Sequence, residues 1–238
     1  MKNKIIVITG SSSGLGSTLV KDLCVKHQVI GLSRNNNEFN EQLSNFKYIK
    51  TDISNSMDVK NAFEQINYQF GKIDILINNA AISQEKPFEG ITDDDFDKMM
   101  NVNLRGPFSL AQELIPDMVT SKWGIVVNIV SIGGQWGGYN QVHYAASKAA
   151  LINFTQSIAK IYSAHGITSN AISPGLVATD MTSFELNTTL GRKKVSEIPI
   201  KRLGTAKEIG AAAVYLVSDE AAYITGQTIN LNGGMLFS

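Results

Sequence analysis

The sequence predicts an α/β fold of the Rossmann type: a doubly wound parallel sheet of about seven strands with helices on both faces. Short apolar, β-branched runs alternate with helical hydrophobic patterns along the chain, which is the order expected of strand–helix–strand units. A glycine-rich turn follows the first run and opens the first helix. The 238 residues are 43% hydrophobic, and no linker or repeat divides them, so we expect one domain spanning residues 1–238.

The hydrophobic pattern places the elements in order. Strands are expected at residues 4–9, 28–33, 47–50, 73–78, 124–130, 167–173 and 227–231. Helices are expected at residues 17–26, 56–69, 93–120, 142–164 and 206–217. Because Pro116 lacks a backbone N–H, it should bend or end the helix at 93–120.

Composition excludes several classes of partner. Lys and Arg number 21, as do Asp and Glu, so the formal net charge is zero and gives no general attraction to nucleic acid or to an anionic membrane. No apolar run approaches the roughly 18 residues that span a bilayer, and the N-terminal residues lack a signal-peptide pattern, so we expect a cytoplasmic protein. Cys24 is the only cysteine, so no intrachain disulfide can form and a buried structural thiol is expected.

The glycine-rich turn indicates a nucleotide site. Residues 10–16 read G-S-S-S-G-L-G, directly after the β-branched run that ends at Thr9. Glycines let the backbone approach a pyrophosphate, and the helix N-terminus that follows attracts its negative charge. The spacing differs from the commoner G-x-G-x-x-G, and a tight turn of small residues is the alternative interpretation. The candidate cofactor contacts here are Gly10, Ser12, Ser13, Gly14, Leu15 and Gly16.

A second pattern, S131-x12-Y144-x3-K148, indicates carbonyl chemistry. Tyr144 and Lys148 are i and i+4 neighbours on a predicted helix, so their polar ends can share one site. A tyrosine that works as an acid and base near neutral pH needs a pKa well below its ordinary value, and an ammonium one turn away acts in that direction. Ser131 follows a predicted strand at the edge where open parallel sheets bind ligands. Taken singly, Tyr144 and Lys148 would be an ordinary amphipathic helix pair and Ser131 a loop serine, but their joint occurrence after a nucleotide-binding turn favours a catalytic site.

These motifs, with N78-N-A80, N101-V-N-L-R-G106 and the PGLVAT run that starts at Pro174, resemble the short-chain dehydrogenase/reductase family in order and spacing over nearly the whole chain. The C-terminal stretch from Ser218 to Met235 and the segment Arg202–Gly204 are most similar to the bacterial 3-oxoacyl-(acyl carrier protein) reductase branch. The resemblance implies an oxidoreductase that uses NAD(P)(H) to interconvert a carbonyl and a secondary alcohol. It also implies a homotetramer, and a lid over the substrate at residues 179–200, where a solvated helix pair is the alternative.

The resemblance assigns roles to individual residues. Ser131 would polarise the carbonyl, Tyr144 would act as the acid and base, and Lys148 would hold the nicotinamide ribose. Asn103 would anchor a water that relays protons to Lys148, or would simply pack between helices. The remaining implied cofactor contacts are Asp52 and Ile53 at the adenine, Asn79 and Ala80 at the ribose, and Pro174, Gly175, Val177 and Thr179 at the carboxamide. Ala81 departs from the glycine that is usual in the family. Trp136, Tyr139 and Phe184 would offer apolar surface to substrate, or belong to the core.

The end of the second predicted strand bears on cofactor choice. An acidic residue there would bind the free ribose of NAD(H), but this chain has Ser33 followed by Arg34. A guanidinium can grip a 2′-phosphate with paired hydrogen bonds, so we expect NADP(H) to be preferred. A solvent-facing surface arginine is the alternative.

The substrate stays open at this point. A reductase that docks an acidic acyl carrier protein should offer basic residues beside its cleft, but Ile125 and His165 stand where relatives of that type carry arginine. Two substrates therefore remain: a 3-oxoacyl thioester, or a smaller ketone, sugar or secondary alcohol. A non-catalytic nucleotide-binding regulator is a third hypothesis, although it would have no chemical need for the four catalytic candidates together.

Overall fold

The computed structural model describes residues 3–36, 43–178 and 188–237. The seven strands of the described residues are β1 (Ile5–Thr9), β2 (Gln28–Ser33), β3 (Phe46–Lys50), β4 (Ile75–Asn78), β5 (Gly124–Ile129), β6 (Ile167–Pro174) and β7 (Thr228–Leu231). They form one parallel sheet in the order β3-β2-β1-β4-β5-β6-β7. The predicted doubly wound parallel sheet is confirmed. Its strand order reverses between β1 and β4, which is where such sheets bind ligands.

Helices cover both faces of the sheet. They are α1 (Gly14–Leu23), α2 (Ser56–Phe70), α3 (Asp93–Met100), α4 (Gly106–Ser121), α5 (Gly133–Trp136), α6 (Val142–Tyr162), α7 (Thr189–Glu197) and α8 (Ala206–Leu216). Apolar residues of α1 and α8 pack on one face, and those of α2 and α4 pack on the other. Because β1, β4 and β5 are buried on both faces, their sequences are nearly continuous apolar runs and do not alternate between apolar and polar residues.

Two predicted helices differ from the structure, the second of them in two ways. The first helix begins at Gly14 rather than at Ser17, because the Ser17 N–H already donates to the Ser13 carbonyl. Pro116 lies inside α4 without ending it, and the helix continues to Ser121. The helix predicted at 93–120 contains a π-helical turn, Asn101–Arg105, between α3 and α4. Such a turn inserts one extra residue into a helix and often lies at a functional site.

The amino-terminal edge of the sheet is held by polar side chains that satisfy one another. Lys4 Nζ lies 3.0 Å from a carboxylate oxygen of Asp74, and the other oxygen accepts the Ile5 N–H at 2.9 Å. The same ammonium lies 3.8 Å from the ring centroid of Trp123. The edge opposite the ligand-binding edge is therefore closed by a structural ion pair and a cation–π contact.

Cys24 caps the C-terminal end of α1 and is buried, as expected. Burial raises the pKa of its thiol, and its Sγ–H donates to the Lys21 carbonyl. These features suit a structural thiol rather than a reactive one. Of the segment predicted as a lid, residues 179–187 lie outside the described residues, and the remainder contains α7.

Candidate active site

A cavity of about 350 Å³ opens at the carboxyl ends of β1 and β4. The predicted cofactor contacts that line it are Gly10, Ser12, Ser13, Arg34, Asp52, Ile53, Asn79 and Ala80. They come from the loops that follow four neighbouring strands, which is why a chain with the motifs far apart can assemble one cleft.

The glycine turn fits a group that approaches the backbone closely. A Cβ atom added to Gly16 would lie 2.0 Å from the Gly10 carbonyl oxygen, so only glycine lets the turn close on itself. Gly14 has φ +54°, and a Cβ there would meet no atom within 4 Å. The turn is therefore tight on its inner side and open at Gly14 on its outer side.

The N-terminus of α1 provides the charge complement. Its first turn carries no acidic residue, and the N-cap residue Ser13 makes no side-chain capping hydrogen bond. The first backbone N–H groups and the positive end of the helix dipole are thus directed at the cleft without a protein anion to neutralise them. This arrangement fits the pyrophosphate of a dinucleotide. Of the predicted contacts in the turn, Leu15 packs against the core and Gly16 is buried, so neither lines the cleft.

Asn79 fixes the geometry between β1 and β4. Its side-chain amide donates to the carbonyls of Thr9 at 3.0 Å and Gly10 at 3.1 Å. In return, the Thr9 hydroxyl accepts the backbone N–H groups of Asn79 and Ala80, each at 3.0 Å. The two loops that border the cleft at the switch point are therefore bonded to each other, and their spacing does not depend on a ligand.

Arg34 and Asp52 lie at the far end of the cleft. Arg34 is exposed, while Ser33 beside it is buried and donates its hydroxyl to the Asn35 carbonyl at 2.7 Å. Hydrogen bonds from Ser54, with a smaller contribution from the positive charge of Arg34, hold the pKa of Asp52 below its ordinary value. Asp52 is consequently an anion near neutral pH, and Arg34 is the cation that faces it across this end of the cleft.

Ser131, Tyr144 and Lys148 come together just beyond the carboxyl end of β5. The Ser131 hydroxyl accepts the Gly133 N–H at 3.2 Å and lies near enough to the Tyr144 phenol to lower its pKa. Lys148 is 2% exposed, and its ammonium donates to the Ile129 carbonyl at 2.8 Å. It lies 5.8 Å from the centroid of the Tyr144 ring. The structure thus brings the three residues of the sequence pattern into one site.

The charges at this site differ from the expectation in one respect. Burial raises the pKa of Tyr144, and the neighbouring Ser131 hydroxyl opposes that shift only in part. Burial also lowers the pKa of Lys148 to about 8. The expected lowering of the tyrosine pKa by the lysine is absent from this arrangement, because the ammonium is itself desolvated and is directed at the Ile129 carbonyl.

Asn103 is fully buried in the π-helical turn. Its side chain exchanges two hydrogen bonds with the backbone of Ile82, both at 2.9 Å, and donates to the Ser147 hydroxyl at 3.1 Å. The side chain therefore links the loop after β4 to the helix that carries Tyr144 and Lys148. Its role in a proton relay stays a prediction.

The remaining predicted contacts are placed as follows. Val177 pairs with Gly204 in a short parallel bridge, just beyond Pro174 at the end of β6. Gly175 lies so close to Asn232 that an added Cβ would come within 2.8 Å of its Cα. Trp136 is 51% exposed at the end of α5, so it is not a core residue. Thr179 and Phe184 lie outside the described residues.

Several residues that line the cleft were not predicted from the sequence, among them Thr51, Ile82 and Val102. Thr51 precedes Asp52, Ile82 follows Ala81 and Val102 precedes Asn103, so each is the sequence neighbour of a residue discussed above. The signal that could have found them is the apolar or small character of positions flanking the motifs.

Comparison with known proteins gives the family. A family model described as enoyl-(acyl carrier protein) reductase matches residues 12–236. The chain is 38% identical over 238 residues to the 3-oxoacyl-(acyl-carrier-protein) reductase FabG of Buchnera aphidicola subsp. Baizongia pistaciae, covering 98% of this chain and 97% of the relative. It is 34% identical over 243 residues to the Haemophilus influenzae protein of the same name, covering 100% of both chains. A solved structure, 4-hydroxyisoleucine dehydrogenase complexed with NADH, is 34% identical and superposes with a TM-score of 0.94 over 98% of each chain. The chain belongs to the short-chain dehydrogenase/reductase family.

This short-chain dehydrogenase/reductase is an oxidoreductase that interconverts CH–OH and C=O groups and uses a nicotinamide cofactor. The cleft fits that cofactor, since it offers a helix N-terminus, an open glycine turn and a cation at its far end. Within the described part of the chain, no helix has the length and apolar character needed to cross a membrane. Those same residues contain no group of three or more His, Cys, Asp or Glu side chains that could hold a metal ion.

Proposed function

We propose that this short-chain dehydrogenase/reductase reduces the ketone of a 3-oxoacyl thioester to a secondary alcohol, with NADP(H) as its cofactor. The observation that carries the proposal is the convergence of Ser131, Tyr144 and Lys148 at the carboxyl end of β5, beside the nucleotide cleft. Full-length similarity to two 3-oxoacyl-(acyl-carrier-protein) reductases supports the choice of substrate.

The proposed roles follow from the hydrogen-bonding capacity of each side chain. The Ser131 hydroxyl donates to the substrate carbonyl oxygen, which polarises the C=O bond. Tyr144, whose phenol neighbours the Ser131 hydroxyl, donates its phenolic proton to the same oxygen. When bound, the nicotinamide supplies the hydride that the carbonyl carbon receives. Hydride and proton together convert the ketone to the alcohol and leave the phenolate on Tyr144.

The phenolate must then recover a proton. Lys148 is the nearest described ammonium, and its pKa of about 8 makes it able to give up a proton near neutral pH. We propose that its ammonium turns from the Ile129 carbonyl toward Tyr144 and the nicotinamide ribose when the cofactor is bound. In that position the ammonium passes a proton to the phenolate, and the water that Asn103 anchors returns a proton to the neutral lysine.

The proposed preference for NADP(H) rests on Arg34. The residue lines the cleft, is exposed, and follows a β2 strand that ends in Ser33 rather than in an acidic residue. A 2′-phosphate could form charge-assisted hydrogen bonds with the guanidinium there. The Asp52 carboxylate is engaged by Ser54 at 2.7 Å, so it does not have to be displaced for a phosphate to approach Arg34.

A second candidate substrate is a small ketone or secondary alcohol. Ile125 is 6% exposed within β5 and can present no charge to an acidic acyl carrier protein. Of Ile125 and His165, only His165 has an ionisable side chain. It is exposed, in the turn before β6. The similarity to 4-hydroxyisoleucine dehydrogenase also favours a small substrate.

The experiment that tests this proposal is a substrate panel. NADPH oxidation is followed with acetoacetyl thioesters of a small thiol, with the same acyl group on an acyl carrier protein, and with simple ketones. We expect the thioesters to be reduced with a kcat/KM at least about tenfold above the ketones. Preference for the ketones would assign the second candidate, and binding of NADPH with no turnover on any substrate would remove the enzymatic proposal.

We also propose a homotetramer. A groove between α4 and α6 contains Phe108, which is 46% exposed and lies 6.0 Å from the ring of Phe154. An apolar side chain in this position is stabilised if a second copy covers it. Light scattering should give four times the 25.9 kDa chain mass, and a monomer would contradict the proposal.

A further inference from the structure

Residues 81–86, the loop after β4, form an extended segment whose side chains alternate in exposure. Ala81, Ser83 and Glu85 are exposed, whereas Ile82, Gln84 and Lys86 are partly buried. Alternation of this kind means that every second residue faces the same neighbour. For the 81–86 segment, that neighbour is the N-terminal part of α6 together with the loop that leads into it.

Each of the three inward residues is bonded to that region. Ile82 is held through Asn103, which also bonds to Ser147 of α6. The Lys86 backbone N–H donates to the Asn140 carbonyl at 2.7 Å. Between these two attachments, the Gln84 side chain reaches His143, the residue that directly precedes Tyr144.

The Gln84–His143 hydrogen bond has a defined direction. Gln84 Nε2 donates to Asp95 Oδ1 at 3.0 Å, so its Oε1 faces His143 Nε2 at 2.9 Å. Hydrogen bonds from Lys86, Gln84 and Thr92 hold the pKa of Asp95 well below its ordinary range, so this carboxylate can only accept. His143 Nε2 must therefore carry a hydrogen and donate a hydrogen bond to Gln84 Oε1.

The other ring nitrogen agrees with that assignment. His143 is 1% exposed, and its Nδ1 is buried without a hydrogen-bond partner among the described residues. An unprotonated nitrogen tolerates that position better than an N–H group, which would lose a hydrogen bond to water. The imidazole is thus a neutral donor, held in one tautomer by an amide whose own orientation is set by Asp95 at the start of α3.

We propose that Gln84 and His143 are positioning residues that hold Tyr144 at its working distance from the cofactor. Ala81 and Ile82, in the same segment as Gln84, line the nucleotide cleft. The Gln84–His143 bond therefore connects the wall of that cleft to the helix turn that carries the tyrosine. The inference rests on the proposed role of Tyr144, and it adds residues that neither the motif nor the cleft identifies.

The test uses substitutions that separate the two nitrogens of the imidazole. A glutamine amide nitrogen occupies nearly the place of His Nε2, whereas an asparagine amide nitrogen occupies nearly that of Nδ1. We expect His143→Leu and His143→Asn to lower kcat about tenfold, because small displacements of a catalytic group are costly. His143→Gln should keep kcat within about twofold of wild type. The dissociation constant for NADPH, measured by fluorescence, should stay within about twofold in all three.

Gln84→Met removes the other partner of the Gln84–His143 hydrogen bond. It should lower kcat about tenfold, and the Gln84→Met/His143→Leu double variant should be no slower than either single variant, because both remove one interaction. Glu85→Ala, from an exposed position of the same segment, is the matched control and should behave as wild type. Thermal denaturation of every variant checks that kcat is compared among folded proteins.

The outcomes separate this inference from the proposed function. If Tyr144→Phe abolishes turnover while His143→Leu and Gln84→Met leave kcat unchanged, the positioning proposal is wrong and the catalytic assignment stands. Equal losses in His143→Gln and His143→Leu, or strictly additive losses in the double variant, would also overturn it. If Tyr144→Phe itself retains turnover, the proposed function is what fails.

Discussion

The two edges of the parallel sheet use similar residue types in opposite ways. At the amino edge, Lys4 is neutralised by Asp74 and covered by Trp123, and all three groups are bonded within the protein. At the carboxyl edge, Lys148 is almost completely buried, its ammonium donates to a backbone carbonyl, and no carboxylate among the described residues forms an ion pair with it. The charge of Lys4 is balanced by a carboxylate, whereas the buried charge of Lys148 lowers the stability of the fold.

The difference shows where the molecule gives up stability for chemistry. Burial lowers the pKa of Lys148 to about 8, whereas Lys4 is partly exposed and paired with Asp74. A charge desolvated without an opposite charge destabilises the fold, and its retention indicates a function that outweighs the cost. The glycine turn and the uncapped N-terminus of α1 lie at the same edge, and they too leave polar groups or backbone without a stabilising partner among the described residues.

Replacing Tyr144 by phenylalanine should have the largest effect on the carboxyl edge. We expect kcat to fall by at least about a hundredfold, because the proton donor is lost, while NADPH affinity and the melting temperature stay close to wild type. Tyr162→Phe, at the other end of α6, is the matched control and should leave kcat unchanged.

The pH dependence sharpens the same prediction. Burial raises the pKa of Tyr144, so the phenol is protonated at neutral pH and reduction should be fast there. Reduction should slow as the pH rises through that pKa, and oxidation of the alcohol should speed up over the same range. A Tyr144→Phe protein with near-normal turnover and the same alkaline limb would remove Tyr144 from this role.

Replacing Lys148 by methionine should remove the uncompensated charge that distinguishes the carboxyl edge from the amino edge. We expect turnover to be lost while the free energy of unfolding at about pH 7 rises by about 1–2 kcal/mol. Removing the desolvated ammonium relieves a cost of about 3 kcal/mol, and the hydrogen bond lost at the Ile129 carbonyl offsets about 1 kcal/mol of that gain.

The direction of this change in stability can be checked by denaturant unfolding of wild type and Lys148→Met at two pH values. The folded-state pKa of Lys148 is about 8 and its ordinary value is 10.5, so between them the unfolded chain binds a proton that the folded chain does not. Wild-type stability should therefore rise with pH across this window, and above it the advantage of Lys148→Met should be lost, leaving the variant less stable by about 1 kcal/mol because of the missing hydrogen bond. A variant that is less stable than wild type at neutral pH would show that the ammonium is compensated.

Arg34→Ala tests the exposed end of the cleft. We expect kcat/KM with NADPH to fall about tenfold, because one charge-assisted contact to the 2′-phosphate is removed, while kcat/KM with NADH changes by less than about twofold. Lys47→Ala, on an exposed position of β3, is the control for a lost surface charge. Equal loss with both cofactors would show that Arg34 does not contact the phosphate.

The smallest effect is expected at the amino edge. Lys4→Met keeps most of the side-chain volume but removes both the ion pair and the cation–π contact, so the free energy of unfolding should fall by about 0.5–1 kcal/mol. The kcat should not change, because the residue lies at the edge opposite the site. A measurable loss of kcat would mean that the two edges are coupled.

The sequence was most informative where one short segment contains the whole feature. The glycine turn, the Tyr144–Lys148 spacing and the strand before Ser131 are local patterns, and a parallel sheet places the residues that follow its strands at one edge. The direction of the Lys148 ammonium was not predictable, because it depends on the depth of burial and on a carbonyl of another element.

Long-range polar contacts were beyond the sequence for the same reason. Nothing in the pattern around His143 indicates a partner at Gln84, since the two residues meet only after β4, α3 and α6 have packed. The π-helical turn was likewise hidden inside a helix that was predicted with nearly correct ends. Helical periodicity identifies a helix, but it does not reveal one extra residue within it.

That π-helical turn makes the region intolerant of changes in length. The described helix runs without interruption from Asp93 to Ser121, with Asp95 near its start and Asn103 inside the turn. Each residue advances an α-helix by about 100°, so deleting one residue from 101–105 would rotate one half against the other by about that angle. Asp95 and Asn103 could then no longer face the 81–86 segment together. In related chains, insertions and deletions should therefore accumulate in the outer loops and be absent from this turn.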